Sequence, residues 1–354
     1  MISKDDLKSF IQFRQTERSW HVPILAALCI GMPLMTGYFL DKVEDGILAS
    51  MSGLLILYLP NTSLINRILL LIICSFVFIV SFLFGIIFSF NAILAPFALG
   101  FYIFILSYLT KYFKLKPPGS FFFILITAIA ICMPFDLYDI PKKIGLITMG
   151  TISTCLLAFI YSIVTLRNQP SRTNVIINKN DNYFLIFEAA IDGFFIGSSL
   201  LIAYLLNLDN PYWVPVSCAA VMQGINSKHI WQRSLHRIVG TFIGVGLAWF
   251  LLNLQLSTLS ICLAIITLQF CVELLVVRNY AMAVVFITAL TIFLAEAGHS
   301  IRSSPDLSVY TRILDITLGS IIGAIGGWFL YHQKLKNGFK RQIRKTNIQL
   351  KKLR

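Results

Sequence analysis

Arg237 lies in the run SLHRIVGTFIGVG, Ser234 to Gly246, directly before a stretch of small and apolar residues. A guanidinium stays charged at any usable pH and grips a carboxylate through two parallel hydrogen bonds. A fixed positive charge at the mouth of an apolar helix is therefore suited to receive an organic anion. Arg67 stands at the head of a second apolar run, and Arg312 at the head of a third, RILDITLGSIIGAIGGWFL. Each has a plainer alternative, an interfacial arginine that reaches for lipid headgroups and only fixes topology. Lys228 and Arg233 are read in that plainer way.

Acids in apolar surroundings come next. Glu188 and Asp192 are four residues apart, so they share one helix face. Ionisable groups at such depth are costly and usually face an interior path. Two neighbouring carboxylates cannot both ionise cheaply in a low dielectric, which suits the pair to carrying protons. The alternative is an ion pair with a neighbouring helix. Asp315 is a third candidate. Glu273 is expected to pair with Arg278 nearby. Tyr212, Trp213 and Tyr280 could stack on an aromatic ligand, or belt the membrane interface.

Enzyme chemistry finds little to build on. HExxH, GxSxG and CxxC are all absent, and the five histidines do not fall at metal-ligand spacing. No catalytic residue, metal or cofactor is expected. The seven cysteines all lie in apolar windows and read as small core residues.

The elements that position these residues are membrane helices. The 354 residues are 57% hydrophobic and only 13% charged, against about 25% charged in soluble domains. Twelve apolar windows stand out, at about 22–40, 46–60, 67–90, 92–110, 118–134, 146–166, 184–206, 212–225, 237–253, 257–277, 280–296 and 312–331. The polar first twenty residues lack the order of a signal peptide, so the first helix is expected to stay as an anchor. The net charge of +13 sets topology and does not imply a nucleic-acid partner. With the N-terminus in the cytoplasm, all Lys and Arg fall inside except Lys42, Lys142, Lys143, Arg302 and Arg312. Both termini are then cytoplasmic.

Internal similarity divides the twelve windows into two sets. KIGLITMGTI from Lys143 aligns with RILDITLGSI from Arg312, and SLINRI ending at Ile68 with SLHRI ending at Ile238. The offsets nearly agree, which indicates a tandem duplication of six helices in parallel orientation. Asp315 faces Leu146 in this alignment, so it breaks the symmetry. The expected layout is a cytoplasmic segment (1–21), a first repeat (22–166), a linker (167–183), a second repeat (184–331) and a basic tail (332–354). The second helix of each repeat is short. EDGILASMSGLLILYLP stops at Pro60, and PYWVPVSCAAVMQG is broken by Pro215 and ends at Gln223-Gly224. Short helices at corresponding positions point to a substrate site.

PYWVPVSCAAVMQG, WQRSLHRIVGTFIGVGLAWFL, VRNYAMAVVFITAL and YTRILDITLGSIIGAIGGW follow one another from Pro211 to Trp328. In these elements the chain resembles the fusaric acid resistance (FUSC) and aromatic acid exporter family of bacterial inner-membrane proteins. It is distantly similar to plant aluminium-activated malate transporters. The first repeat carries the resemblance weakly, keeping the proline and Arg67 in LYLPNTSLINRI. The resemblance implies proton-coupled efflux of small aromatic or amphipathic carboxylic acids from the inner membrane. The alternative is a passive organic-anion channel. It makes Arg237, Arg312, Arg67, Trp213, Gln223, Asn279 and Tyr280 the anion-binding set. Asp192, Glu188 and Asp315 are the proton-coupling set. The expected partners are the anion and the bilayer, with a homo-oligomer and a periplasmic adaptor left open.

Overall fold

The computed structural model describes residues 12–13, 15–16, 18–166, 182–224, 226–254, 256–298 and 305–332. Most of the N-terminal segment, the linker and the basic tail named above lie outside the described residues. Among those described, the chain is all helical, with no strand. The helices are α1 (His21–Phe39), α2 (Val43–Ser50), α3 (Leu64–Ile87), α4 (Leu94–Tyr112), α5 (Phe121–Ile131) and α6 (Ile140–Leu166). They continue as α7 (Asn182–Leu205), α8 (Trp213–Met222), α9 (Ser227–Leu252), α10 (Thr258–Leu275), α11 (Tyr280–Gly298) and α12 (Pro305–Tyr331). A 3-10 segment, Met51–Tyr58, extends α2.

Eight of these helices are long and apolar enough to cross a membrane: α1, α3, α4, α6, α7, α9, α10 and α12. Three of the other expected spans, at α2, α5 and α8, are too short to do so alone. At 1.5 Å per residue, the ten residues of α8 reach only about 15 Å, half the ~30 Å hydrocarbon layer. The outward surface is apolar, with Phe76, Phe97, Phe101, Phe194, Ile243 and Leu263 all more than half exposed. Large side chains of this kind are mostly buried in water-soluble folds. Here they suit a lipid solvent.

Three helices begin six or more residues before their apolar windows. α6 starts at Ile140, α9 at Ser227 and α12 at Pro305. A hydropathy window closes where charges begin, but the backbone ladder continues where those charges find partners. Asn226 caps α9 by accepting from His229 N at 2.8 Å. Lys142, in the first turn of α6, reaches Asp45 Oδ1 at 2.8 Å. Arg237 is therefore not at a helix mouth. It lies ten residues, about 15 Å, into α9.

Packing crosses the middle of the sequence. α4 lies along α7, and α1 along α10, while α9 packs on α11 and α12. The α4–α7 pair approaches through glycine. A Cβ added to Gly197 would come within 2.8 Å of Gly100 Cα. Gly240 and Gly244 do the same on α9, where an added Cβ would meet Val284 Cβ and Thr288 Cβ of α11, each at 2.8 Å. Gly246, expected to share that role, faces open space instead.

Candidate functional site

A cavity of about 740 Å³ opens between the helices. Its walls come from α1, α2 with its 3-10 extension, α3, α5, α6 and α8 to α11; among the described residues, none from α4, α7 or α12 lines it. The short α8 runs along it. Trp213 lines it at one end of that helix and Gln223 at the other. A helix that stops partway leaves the space it does not fill. Apolar and aromatic groups such as Leu54, Phe122, Leu125 and Leu290 make up much of the lining.

Guanidinium groups supply the polarity. Arg67, Arg233 and Arg237 all line the cavity. Arg237 is 5% exposed; it donates from Nη2 to Ser217 Oγ at 3.2 Å and from Nη1 to Tyr280 Oη at 3.4 Å. Its Nε has no hydrogen-bond partner among the described residues. Arg233 lies over the Tyr280 ring at 4.4 Å, and its Nε is likewise unpartnered. Arg67, also buried, donates to Thr62 O at 2.9 Å and Asn61 Oδ1 at 3.2 Å. Arg312 does not line the cavity itself. It stacks on Trp213 at 3.3 Å from the ring centre and donates to Thr291 Oγ1, and both partners are lining residues.

None of these four arginines lies within ion-pair distance of an acid among the described residues. Buried charge without a counter-charge is expensive. An anion entering the cavity would relieve that cost at several guanidinium groups at once.

Of the seven residues expected to bind the anion, Arg67, Trp213, Gln223, Arg237 and Tyr280 line one cavity. Gln223 donates to Pro118 O at 2.9 Å. Asn279 is buried at the start of α11, where its side chain accepts from Met282 N at 3.1 Å and donates to Gln12 O at 3.5 Å. It is not a lining residue.

The three acids expected to carry protons lie elsewhere. Asp192 accepts from Lys111 Nζ at 2.7 Å and from Ser107 Oγ at 2.5 Å, and Lys111 is 3.6 Å from Glu188. These groups sit where α7 lies on α4. The expectation that this helix face looks into a central path is therefore corrected: it is taken up by the partner helix. Asp315 is fully buried on α12, and neither carboxylate oxygen has a hydrogen-bond partner among the described residues.

Three residues that line the cavity were read otherwise or passed over. Arg233, expected as a topology signal, lies inside α9, which begins ten residues before its apolar window. Glu273 was expected to pair with Arg278, but it pairs with Arg18, Nη2 to Oε2 at 2.9 Å, and is 2% exposed. Arg18 comes from the segment before α1, 255 residues away in sequence. No local spacing could join it to Glu273.

The elements that carry this site also carry the similarity. Residues 198–326 match the fusaric acid resistance protein-like family. The matched FUSC segment runs from within α7 to within α12, so it contains Trp213, Arg237, Glu273, Tyr280 and Arg312 but not Arg67 or Arg18. An uncharacterized membrane protein of Bacillus subtilis (strain 168), YvaC, is 37% identical over 122 residues. That stretch is 34% of this chain and 19% of YvaC, so the chain matches about a fifth of its relative. No solved structure matches. FUSC similarity and eight apolar helices of spanning length make this a multi-pass membrane protein.

Proposed function

We propose that the chain is a transporter of the bacterial inner membrane that exports small aromatic or amphipathic carboxylic acids with proton coupling. One observation carries this reading. A cavity of about 740 Å³ joins apolar and aromatic walls to Arg67, Arg233 and Arg237, which have no acid partner among the described residues. A ring and a carboxylate are the complementary ligand. Arg237 and Arg67 grip the carboxylate, with Arg233 beside them. Trp213, held by Arg312, and Tyr280 offer ring faces. Gln223 lines the same cavity, and Asn279 caps the start of α11 just before Tyr280.

The proposed frame is two parallel six-helix units, 22–166 and 184–331, with both termini in the cytoplasm. The packing supports it. The contacts α1–α2, α1–α6, α2–α6, α3–α5 and α3–α6 recur six helices later as α7–α8, α7–α12, α8–α12, α9–α11 and α9–α12. The crossing pairs exchange in the same way, α1–α10 with α7–α4 and α2–α11 with α8–α5. Gly150 abuts Ala49 and Ser52, while Gly319 abuts Val214 and Ser217. Those glycines are the aligned positions of the two similar decapeptides.

A passive anion channel is the second reading. It is favoured by the location of Asp192 and Glu188, which stand away from the cavity in the Lys111 cluster. Proteoliposomes loaded with an aromatic acid separate the two readings. Accumulation against a concentration gradient when a pH gradient is imposed supports the coupled transporter. Purely downhill flux supports the channel, and no flux in either condition refutes both.

A further inference from the structure

Among the described residues, Glu273 is the only acid that lines the cavity. It sits on α10, 2% exposed. Gln269 Nε2 donates to its Oε1 at 3.4 Å, and Arg18 Nη2 to its Oε2 at 2.9 Å. Arg18 therefore supplies the one counter-charge that makes this carboxylate tolerable. Arg18 also lines the cavity, and its side chain is 23% exposed. It reaches Glu273 from the segment before α1, not from a membrane helix, so its tether is different from those of Arg67, Arg233 and Arg237.

Among the described residues no cation other than Arg18 lies within ion-pair distance of Glu273. On α1 the titratable residues are His21, Cys29 and Tyr38. His21 Nδ1 is 2.6 Å from Tyr161 Oη. On α11, among the described side chains, there is Tyr280, which Arg237 and Arg233 already engage. Arg67, Arg233 and Arg237 are the remaining charges on the cavity wall.

We infer that a bound carboxylate competes with Glu273 for Arg18, and that Glu273 takes up a proton from solvent when the anion binds. This rests on the anion-site reading above. A guanidinium fork turned toward the incoming carboxylate leaves Glu273 buried without its cation. Neutralisation by one proton then costs less than retaining the bare charge. One anion and one proton enter together, and the loaded site has the same charge as the empty one. Glu273 is thus the residue that ties proton binding to anion binding.

The test uses the purified full chain in lipid nanodiscs, titrated calorimetrically with benzoate, cinnamate and picolinate between pH 6 and 8. Two buffers of different ionisation heat give the proton count. The expected result is about one proton taken up per anion, with affinity rising as pH falls, by up to about tenfold per pH unit. Glu273→Gln should bind as tightly at pH 8 as the native chain does at pH 6, with no proton uptake. Arg18→Gln, a change in the segment before α1 at a side chain that is 23% exposed, should bind more weakly and also take up no proton. Native binding without proton uptake, or a Glu273→Gln variant that keeps the pH dependence, overturns this inference and leaves the anion site standing. Failure of all three acids to bind the native chain at any pH overturns the anion site, and this inference with it.

Discussion

The guanidinium carbon of Arg312 lies 3.3 Å from the centre of the Trp213 indole ring. Arg312 belongs to α12, which does not reach the cavity, and Trp213 opens α8, which does. The stack fixes one face of a lining ring. A desolvated cation–π pair is worth about 2 kcal/mol. Arg312→Met should therefore destabilise the native chain but barely affect a chain already carrying Trp213→Leu. A double-mutant cycle on unfolding in nanodiscs should return a coupling of roughly 1–2 kcal/mol. Simple additivity of the two changes would remove the stack as a support for the cavity wall.

Arg237 tests the anion site directly. Among the described residues its Nη atoms hydrogen-bond only the Ser217 and Tyr280 hydroxyls, and its Nε has no hydrogen-bond partner. Losing a charged hydrogen bond costs about 1.5–3 kcal/mol, which is roughly 10- to 150-fold in affinity. Arg237→Ala should lose that much benzoate binding, and Arg237→Lys less, since lysine keeps the charge without the fork. Unchanged binding by a well-folded Arg237→Ala would exclude the role.

The sequence carried the parts of this site that depend on local pattern. Apolar runs marked every helix, and proline and glycine marked the two short ones. The similarity of SLINRI to SLHRI sets Arg67 beside Arg237 as corresponding positions. What was not legible depends on partners distant in the chain. Asp192 looked like a free buried acid because Lys111, 81 residues earlier, is brought to it only by the α4–α7 crossing. Glu273 looked like the neighbour of Arg278 because Arg18 is 255 residues away. Arg233 was lost to a boundary. Hydropathy ended the helix at the first cluster of charges, although a capped helix in a polar cavity tolerates them.

Close helix approach gives a stability prediction with its own control. An added Cβ at Gly197 would lie 2.9 Å from Pro96 O and 2.8 Å from Gly100 Cα, both backbone atoms of α4. Backbone cannot step aside as a side-chain tip can, and overpacking of this kind typically costs 1–3 kcal/mol. Gly197→Ala should lower the unfolding midpoint of the purified chain. Gly246→Ala meets nothing within 4 Å and should be neutral or slightly stabilising, because alanine favours the helix by up to about 1 kcal/mol over glycine. Equal midpoints for the two variants would show that the α4–α7 contact is looser than described.

The Lys111 cluster decides between a structural and a coupling role for Asp192. One ammonium serves two carboxylates, at 2.7 Å from Asp192 and 3.6 Å from Glu188. The group holds α4 to α7 outside the cavity. Breaking a buried ion pair from one side can cost about 3–5 kcal/mol; here the side chains are 29% and 14% exposed, so a smaller loss is expected. Asp192→Asn should lower the unfolding midpoint while leaving pH-driven accumulation intact at matched protein levels. Replacing both partners, with Lys111→Met and Asp192→Leu, should recover only part of the midpoint, because Asp192 then leaves no bare charge but Glu188 loses its ammonium. A coupling acid would behave in the opposite way. Asp192→Asn would then fold normally, lose uphill transport and retain downhill flux. That result would place the proton on α7 and separate it from the cavity that holds the anion.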